Sequence, residues 1–342
     1  MSLSEGYGVL KGQARARAME REDKKSPHYQ ILVEARGNKF RVPVNVKSVK
    51  KPFDLLIFID RDFRHPITSQ LLALDEGLTA IPLAERKAGG IALDFIRSNL
   101  FNPKEMRPVR ADLPGRENDV NDLLEITIQQ ILNDTEVDLY AFGEPFGPEN
   151  QKDKVFGFQP GRGIHNIHMN QGNRENPFKQ ENGVYQDGAL LIHFRDEGRW
   201  AAFFSAFQSQ SFHTDDKTGD PLDTHPVGPE PETKVLADLK IVAAKVNPKG
   251  DDVGQETVIL LNTTSAPINL DGWFLSDQLK RKMSLSGSIE GGHPRLIQLS
   301  GKDIQLGNDG GAITLLNPQR IKVDGVSYTK EDVKNQGQTI VF

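Results

Sequence analysis

The sequence predicts a strand-dominated α+β domain followed by an all-β sandwich, and three observations lead there. The chain has 342 residues, more than twice the usual domain of roughly 150, so it is long enough for two separate cores. It carries 31 Gly and 20 Pro, a composition suited to strands and turns rather than to a helical bundle. Four prolines and several acids crowd into 215–233 with almost no large apolar side chains, so this stretch cannot bury a core and reads as an extended connector. These place domains at 1–214 and 236–342 with a Pro-rich linker at 215–235.

In the first domain, Tyr29 to Ala35 and Phe40 to Val46 are β-branched runs separated by Arg36-Gly37-Asn38-Lys39, whose Gly-Asn pair suits a hairpin turn. Phe53 to Ile59 is a further strand. Between Asp119 and Asn133 the apolar positions Val120, Leu123, Leu124, Ile131 and Leu132 fall at helical spacing, with Asn118 or Asp119 as N-cap. Ile91 to Leu100 is a second helix candidate, stopped near Asn102-Pro103. Strand patterns resume at Val137 to Phe142, Val155 to Phe158, Ala189 to Phe194 and Trp200 to Phe207. In the second domain short strands are expected at 240–246, 256–262, 268–270, 273–275, 295–299, 312–316, 322–328 and 339–342, with turn residues between them and no helical period.

Composition excludes several chemistries. With no Cys there is no thiolate nucleophile, no disulfide and no Cys-bound zinc, so any metal must use His, Asp, Glu or Asn. No window approaches a membrane span, and the expectation is a cytoplasmic, soluble protein. The net charge of −5 is uneven: residues 11–51 hold twelve Lys and Arg against four Asp and Glu. That basic stretch offers a phosphate-binding face, although charge runs more often mark solvated positions. Gly6 to Gly12 lacks the Lys-Ser/Thr ending of a P-loop and is dismissed as one.

The densest reactive cluster is 161–173, with His165, His168, Asn170 and Gln171 among Gly161, Gly163 and Gly172. Five of the eight histidines, at 165, 168, 193, 213 and 225, fall within one short stretch. On a loop the two imidazoles would converge. His165, His168 and Asp187 then form either a divalent-metal shell or an acid/base set, with Arg162, Asn170, Gln171, His193 and His213 holding substrate. The competing reading is a buried polar loop satisfying irregular backbone. Asp60-Arg61-Asp62 suits Mg²⁺ on one strand face, but the Arg between the acids fits a salt-bridged turn better. His293, between glycines and a proline, reads as a loop residue.

Two resemblances carry further expectations. Asn247-Pro248-Lys249-Gly250, Leu270 to Asp277 with Trp273, Leu306 to Gly311, and Val323 to Tyr328 together resemble the lamin-tail family. That resemblance implies an immunoglobulin-like sandwich acting as an accessory binding module. Tyr7 to Gly12, His28-Tyr29-Gln30, Val44 to Ser48, Gly163 to Gly172, Asp187 to Leu190 and Phe207 to Gln210 resemble the YukJ-type family over about 4–220, which implies domain limits and no activity.

The functional expectation is a hydrolase of a phosphoester, nucleic acid among its substrates, with the lamin-tail unit recruiting or positioning it. The rival expectation is a non-enzymatic protein that binds a polar ligand or serves as a scaffold, with a protein partner on the sandwich.

Overall fold

A computed structural model describes residues 6–20, 26–81, 90–96, 100–168, 170–183, 187–215, 217–222, 239–318, 320 and 322–342. The first unit is built from β1 (Gly8–Met19), β2 (His28–Ala35), β3 (Asn38–Asn45), β4 (Leu55–Asp60), α1 (Ile67–Leu72), β5 (Gly77–Ala80), β6 (Arg107–Val109), α2 (Val120–Gln129), β7 (Val137–Glu149), β8 (Gly161–His165), β9 (Ala189–Phe194) and β10 (Arg199–Phe207). Its ten strands form one sheet in the order β5-β1-β2-β3-β8-β7-β9-β10-β4-β6. β1 also pairs with β7, Gly8 to Gly12 lying opposite Gly143 to Leu139, so β1, β2, β3, β8 and β7 are joined in a ring of pairings. All contacts are antiparallel except β3 with β8, where Arg41 runs parallel to Gly163.

Alternation fixes which side chains the ring encloses. Tyr29, Ile31 and Val33 of β2, Val42 and Val44 of β3, Ile164 of β8 and Leu139 of β7 share one core with Val120, Leu124 and Ile128 of α2. A second core on the other side gathers Tyr7, Phe95, Phe142, Leu191 and Phe204. Helix α2 begins where expected, with the Asp119 carboxylate accepting the Asp122 N–H at 2.8 Å as its N-cap.

Three local expectations change. The hairpin turn is Arg36-Gly37, one residue earlier than the Gly-Asn pair, because both take positive φ (48° and 75°) and Ala35 faces Asn38 directly. The described part of 91–100 is bends and turns instead of helix, and its apolar side chains Leu93, Phe95 and Ile96 plug the second core. Val155 to Phe158 is a turn: the Asp153 carboxylate accepts the Val155 and Phe156 N–H groups, competing successfully with strand pairing. Asp60 and Asp62 behave as the turn reading has it, with Asp62 pairing Arg64 at 2.9 Å.

Residues 215 and 217–222, at the start of the expected connector, fold against the first unit. Leu222 N donates to His213 O at 2.7 Å, Gly172 N to Gly219 O at 2.8 Å, and Asn182 Nδ2 to Asp220 Oδ1 at 3.0 Å.

The second unit is all-β among the described residues: β11 (Leu239–Lys245), β12 (Thr257–Asn262), β13 (Ile268–Asn269), β14 (Phe274–Asp277), β15 (Lys282–Ser284), β16 (Ser288–Ile289), β17 (Pro294–Gln298), β18 (Gly310–Leu316), β19 (Lys322–Thr329) and β20 (Ile340–Val341). Sheets β17-β12-β11-β20 and β15-β14-β18-β19 contribute to one core, with Ile241, Val258 and Leu260 from the first and Leu275, Ile313 and Leu315 from the second. Glu256, just before β12, is wholly buried, and both its carboxylate oxygens accept the Leu306 N–H, at 3.0 and 3.1 Å.

Candidate functional site

Alternation along three neighbouring strands also assembles a polar face opposite the first core. Where Tyr29, Ile31, Val42, Val44 and Ile164 point inward, His28 and Gln30 of β2, Arg41 and Asn45 of β3 and His165 of β8 point the other way. Gly163 lets β8 lie this close to β3: a Cβ there would sit 1.8 Å from the Arg41 carbonyl oxygen. The stretch 161–165 is therefore a strand, not the loop its glycines suggested.

On this face His28 Nε2 and His165 Nε2 stand 3.1 Å apart, their rings at 71° with centroids 5.2 Å apart. Behind His28, Glu20 places Oε2 3.5 Å from Nδ1 and accepts the His28 backbone N–H at 3.1 Å. Gln30 Nε2 holds Glu20 Oε1 at 3.0 Å, Arg41 Nη1 holds Gln30 Oε1 at 3.1 Å, and Arg41 Nε pairs with Asp153 Oδ2 at 2.7 Å. A chain of polar groups thus runs from Asp153 to His165 across three strands. Gln30, Arg41 and Asp153 are buried, whereas the Glu20 and His28 side chains are 13% and 18% exposed, so the network meets solvent at its Glu20–His28 end.

Burial pushes the His165 imidazole down to about 3, with His28, Arg41 and Lys154 adding to it, so it is neutral at ordinary pH. His28 is also lowered, chiefly by burial, although Glu20 opposes the shift. His165 Nδ1 is buried without a hydrogen-bond partner. His168 is fully enclosed: its Nε2 meets Asn45 O at 3.2 Å, its ring packs on Phe207 with centroids 4.8 Å apart, and burial lowers it to about 3.

The other expected site residues are dispersed. The Asp187 carbonyl accepts the Tyr7 hydroxyl at 2.5 Å and its Oδ2 accepts the Ile96 N–H at 3.2 Å, which ties it to the second core. Among the described residues, no three His, Asp or Glu side chains gather as a metal shell. Arg162, on the opposite pleat from His165, is held by Asn38 Oδ1 at 2.7 Å and Lys39 O at 3.2 Å, over the Phe40 ring. His193 stacks on Trp200, 4.6 Å between centroids, and His213 closes the 211–222 turn through its backbone. Asn170 accepts the Gly183 N–H through its carbonyl at 3.0 Å. Gln171 is wholly buried with neither amide atom hydrogen-bonded. His293 lies in an exposed loop, its Nδ1 2.8 Å from Gly291 O.

The family described as "Uncharacterized conserved protein (DUF2278)" matches residues 1–219, nearly two thirds of the chain. This chain belongs to the DUF2278 family. A bacterial relative, "Uncharacterized protein YukJ" of Bacillus subtilis (strain 168), is 41% identical over 218 residues, which is 63% of this chain and 93% of the relative. The DUF2278 match covers all the residues of the imidazole face. Among the described residues, no helix is long and apolar enough to cross a membrane.

Sequence reasoning missed His28 and Glu20 as site members. Counting histidines along the chain favours 165–225, whereas His28 reaches His165 only through the pairing of β2, β3 and β8. The available signal was His28 alternating with the core residues of a hairpin strand.

The Arg41–Asp153 pair gives a direct test of the DUF2278 framework. Asp153→Ala leaves a buried guanidinium without its partner and is expected to lower stability by about 3–5 kcal/mol in urea denaturation. A loss under about 1 kcal/mol would show that the pair does not hold the 150–158 turn in place.

Proposed function

We propose that the DUF2278 unit is a hydrolase of phosphoesters whose reactive centre is the His28–His165 pair. The observation that carries this reading is the head-on approach of the two imidazole nitrogens, at 3.1 Å, backed by a carboxylate that is itself held on its far side. Such backing fixes ring orientation and tautomer, as a group that handles protons or polarises water requires. Lys154 is exposed and its charge acts on both His28 and His165, which fits an anionic substrate. The basic segment 11–51 supports the same class, nucleic acid included. The second unit fits a lamin-tail-like, immunoglobulin-like sandwich, a reading supported by its two sheets around one core, and in this proposal it positions the hydrolase on a partner.

With bis(p-nitrophenyl) phosphate as substrate, His165→Ala and His28→Ala are each expected to lower kcat/KM by about a hundredfold or more. Lys154→Ala is expected to act mainly on KM. Turnover unchanged in the double histidine variant would reject the reading.

Gln171 favours a second reading, a non-enzymatic binder of a polar ligand. A buried amide with both ends unpaired is costly unless something else meets it. Calorimetric binding of a nucleotide or sugar phosphate that is lost on Gln171→Leu, with no hydrolysis under any condition, would select it.

A further inference from the structure

We infer that His28 and His165 together bind a divalent transition-metal ion, of which Zn²⁺ is the physiological class, between their Nε2 atoms. This deepens the proposed function, since it rests on the same pair being the reactive centre. Two imidazoles bound tetrahedrally at ordinary zinc–nitrogen distances hold their nitrogens roughly 3.3 Å apart. The observed 3.1 Å separation, with rings at 71°, needs a shift of only tenths of an ångström to accept an ion.

The surroundings match the second requirement of such a site. A metal-bound histidine ordinarily directs its other ring nitrogen at a carboxylate or carbonyl, which fixes the tautomer and strengthens the donor. Glu20 occupies that place behind His28, at 3.5 Å from Nδ1. Glu20 is not free to swing away, because Gln30 and the His28 N–H hold its two oxygens, and Arg41 and Asp153 hold Gln30 in turn. The two donors ride on β2 and β8, on either side of β3, so the sheet sets their spacing.

The side chain of His165 bonds to that of His28, and its Nδ1 is buried and unpaired, so the acceptor that Glu20 gives His28 has no counterpart behind His165. Two imidazoles favour Zn²⁺, Co²⁺, Ni²⁺ or Cu²⁺ over Mg²⁺ or Ca²⁺. No third ligating side chain joins them among the described residues, which leaves coordination positions for water and a substrate oxygen.

The test uses the full chain, stripped with a chelator and titrated with Co²⁺ and Zn²⁺. One ion per chain is expected, with visible Co²⁺ bands displaced by Zn²⁺. His28→Ala and His165→Ala are each expected to weaken binding about a hundredfold or more, and Glu20→Gln about ten- to a hundredfold with stoichiometry kept. His293→Ala, in an exposed loop, is the unchanged control. Binding below a tenth of an equivalent, or binding that survives in both histidine variants, overturns the site. Should either variant fail to fold, X-ray absorption of the Zn²⁺-loaded natural chain decides: two imidazoles are expected, and none or one overturns it. Metal bound by this pair without phosphoester hydrolysis upholds the site and rejects the hydrolase, whereas hydrolysis by chain that takes up no metal does the reverse.

Discussion

Gly188→Ala is expected to remove the cooperative unfolding transition of the first unit, a loss of more than about 4 kcal/mol. A Cβ on Gly188 would lie 1.5 Å from the Ile167 carbonyl oxygen and 2.3 Å from its carbon, and backbone cannot retreat there as a flexible side chain would. Ile167 lies between His165 and His168, so even a partial accommodation would displace the chain just past the imidazole pair. Gly163→Ala meets the Arg41 carbonyl at 1.8 Å and is expected to behave alike. Gly37→Ala, with nothing within 4 Å, carries only the strain of its positive φ and is expected to cost far less. Circular dichroism against urea distinguishes them. Near-equal midpoints for Gly188→Ala and Gly37→Ala would contradict the close packing of 167 on 188.

The two units are expected to answer pH in opposite senses. His165 and His168 are held at about 3 in the folded chain, against an ordinary value near 6.5. Below pH 6.5 the unfolded chain takes up protons that the folded chain refuses, so this stability is complete above 6.5 and is lost as pH falls toward 3. Glu256 has the reverse sign: burial raises it to about 7 against an ordinary 4.5, despite the Leu306 N–H that favours its charge. Between those values the folded form holds the extra proton. Its contribution is greatest below 4.5 and declines as pH rises through 7, by up to about 3 kcal/mol. Glu256→Gln is therefore expected to raise the melting temperature of the second unit at pH 8 and to leave it unchanged at pH 4.5. Equal shifts at both pH values would place the Glu256 carboxyl in contact with water.

Local signals in the sequence were sufficient for much of the fold. The β2–β3 hairpin, the α2 N-cap at Asp119 and most strands of the second unit depend on spacing within a few residues, where period and turn chemistry are decisive. Strand β1 was not legible, because Ala14, Ala16 and Ala18 alternate with Gln13, Arg15 and Arg17, and alanines make a weak apolar signal. The apolar residues Leu93, Phe95 and Ile96 serve burial without regular structure, and Val155 to Phe158 is half-buried around a turn held by Asp153. Half of the imidazole pair was legible. His165 stood out by its neighbours, but His28 and Glu20 reach it through pairings over a hundred residues apart, to which no local pattern is sensitive.

The turn at 213–222 has a practical bearing on dissecting the molecule. The carbonyl of Gly219 receives the amide of Gly172, and Leu222 returns to His213, so the first unit carries its own closing clasp beyond Thr214. Severing the polypeptide at 214 would strip that clasp and bare the 170–173 segment to water. A freestanding fragment that keeps its native seal should extend through Leu222, three residues past the end of the family match.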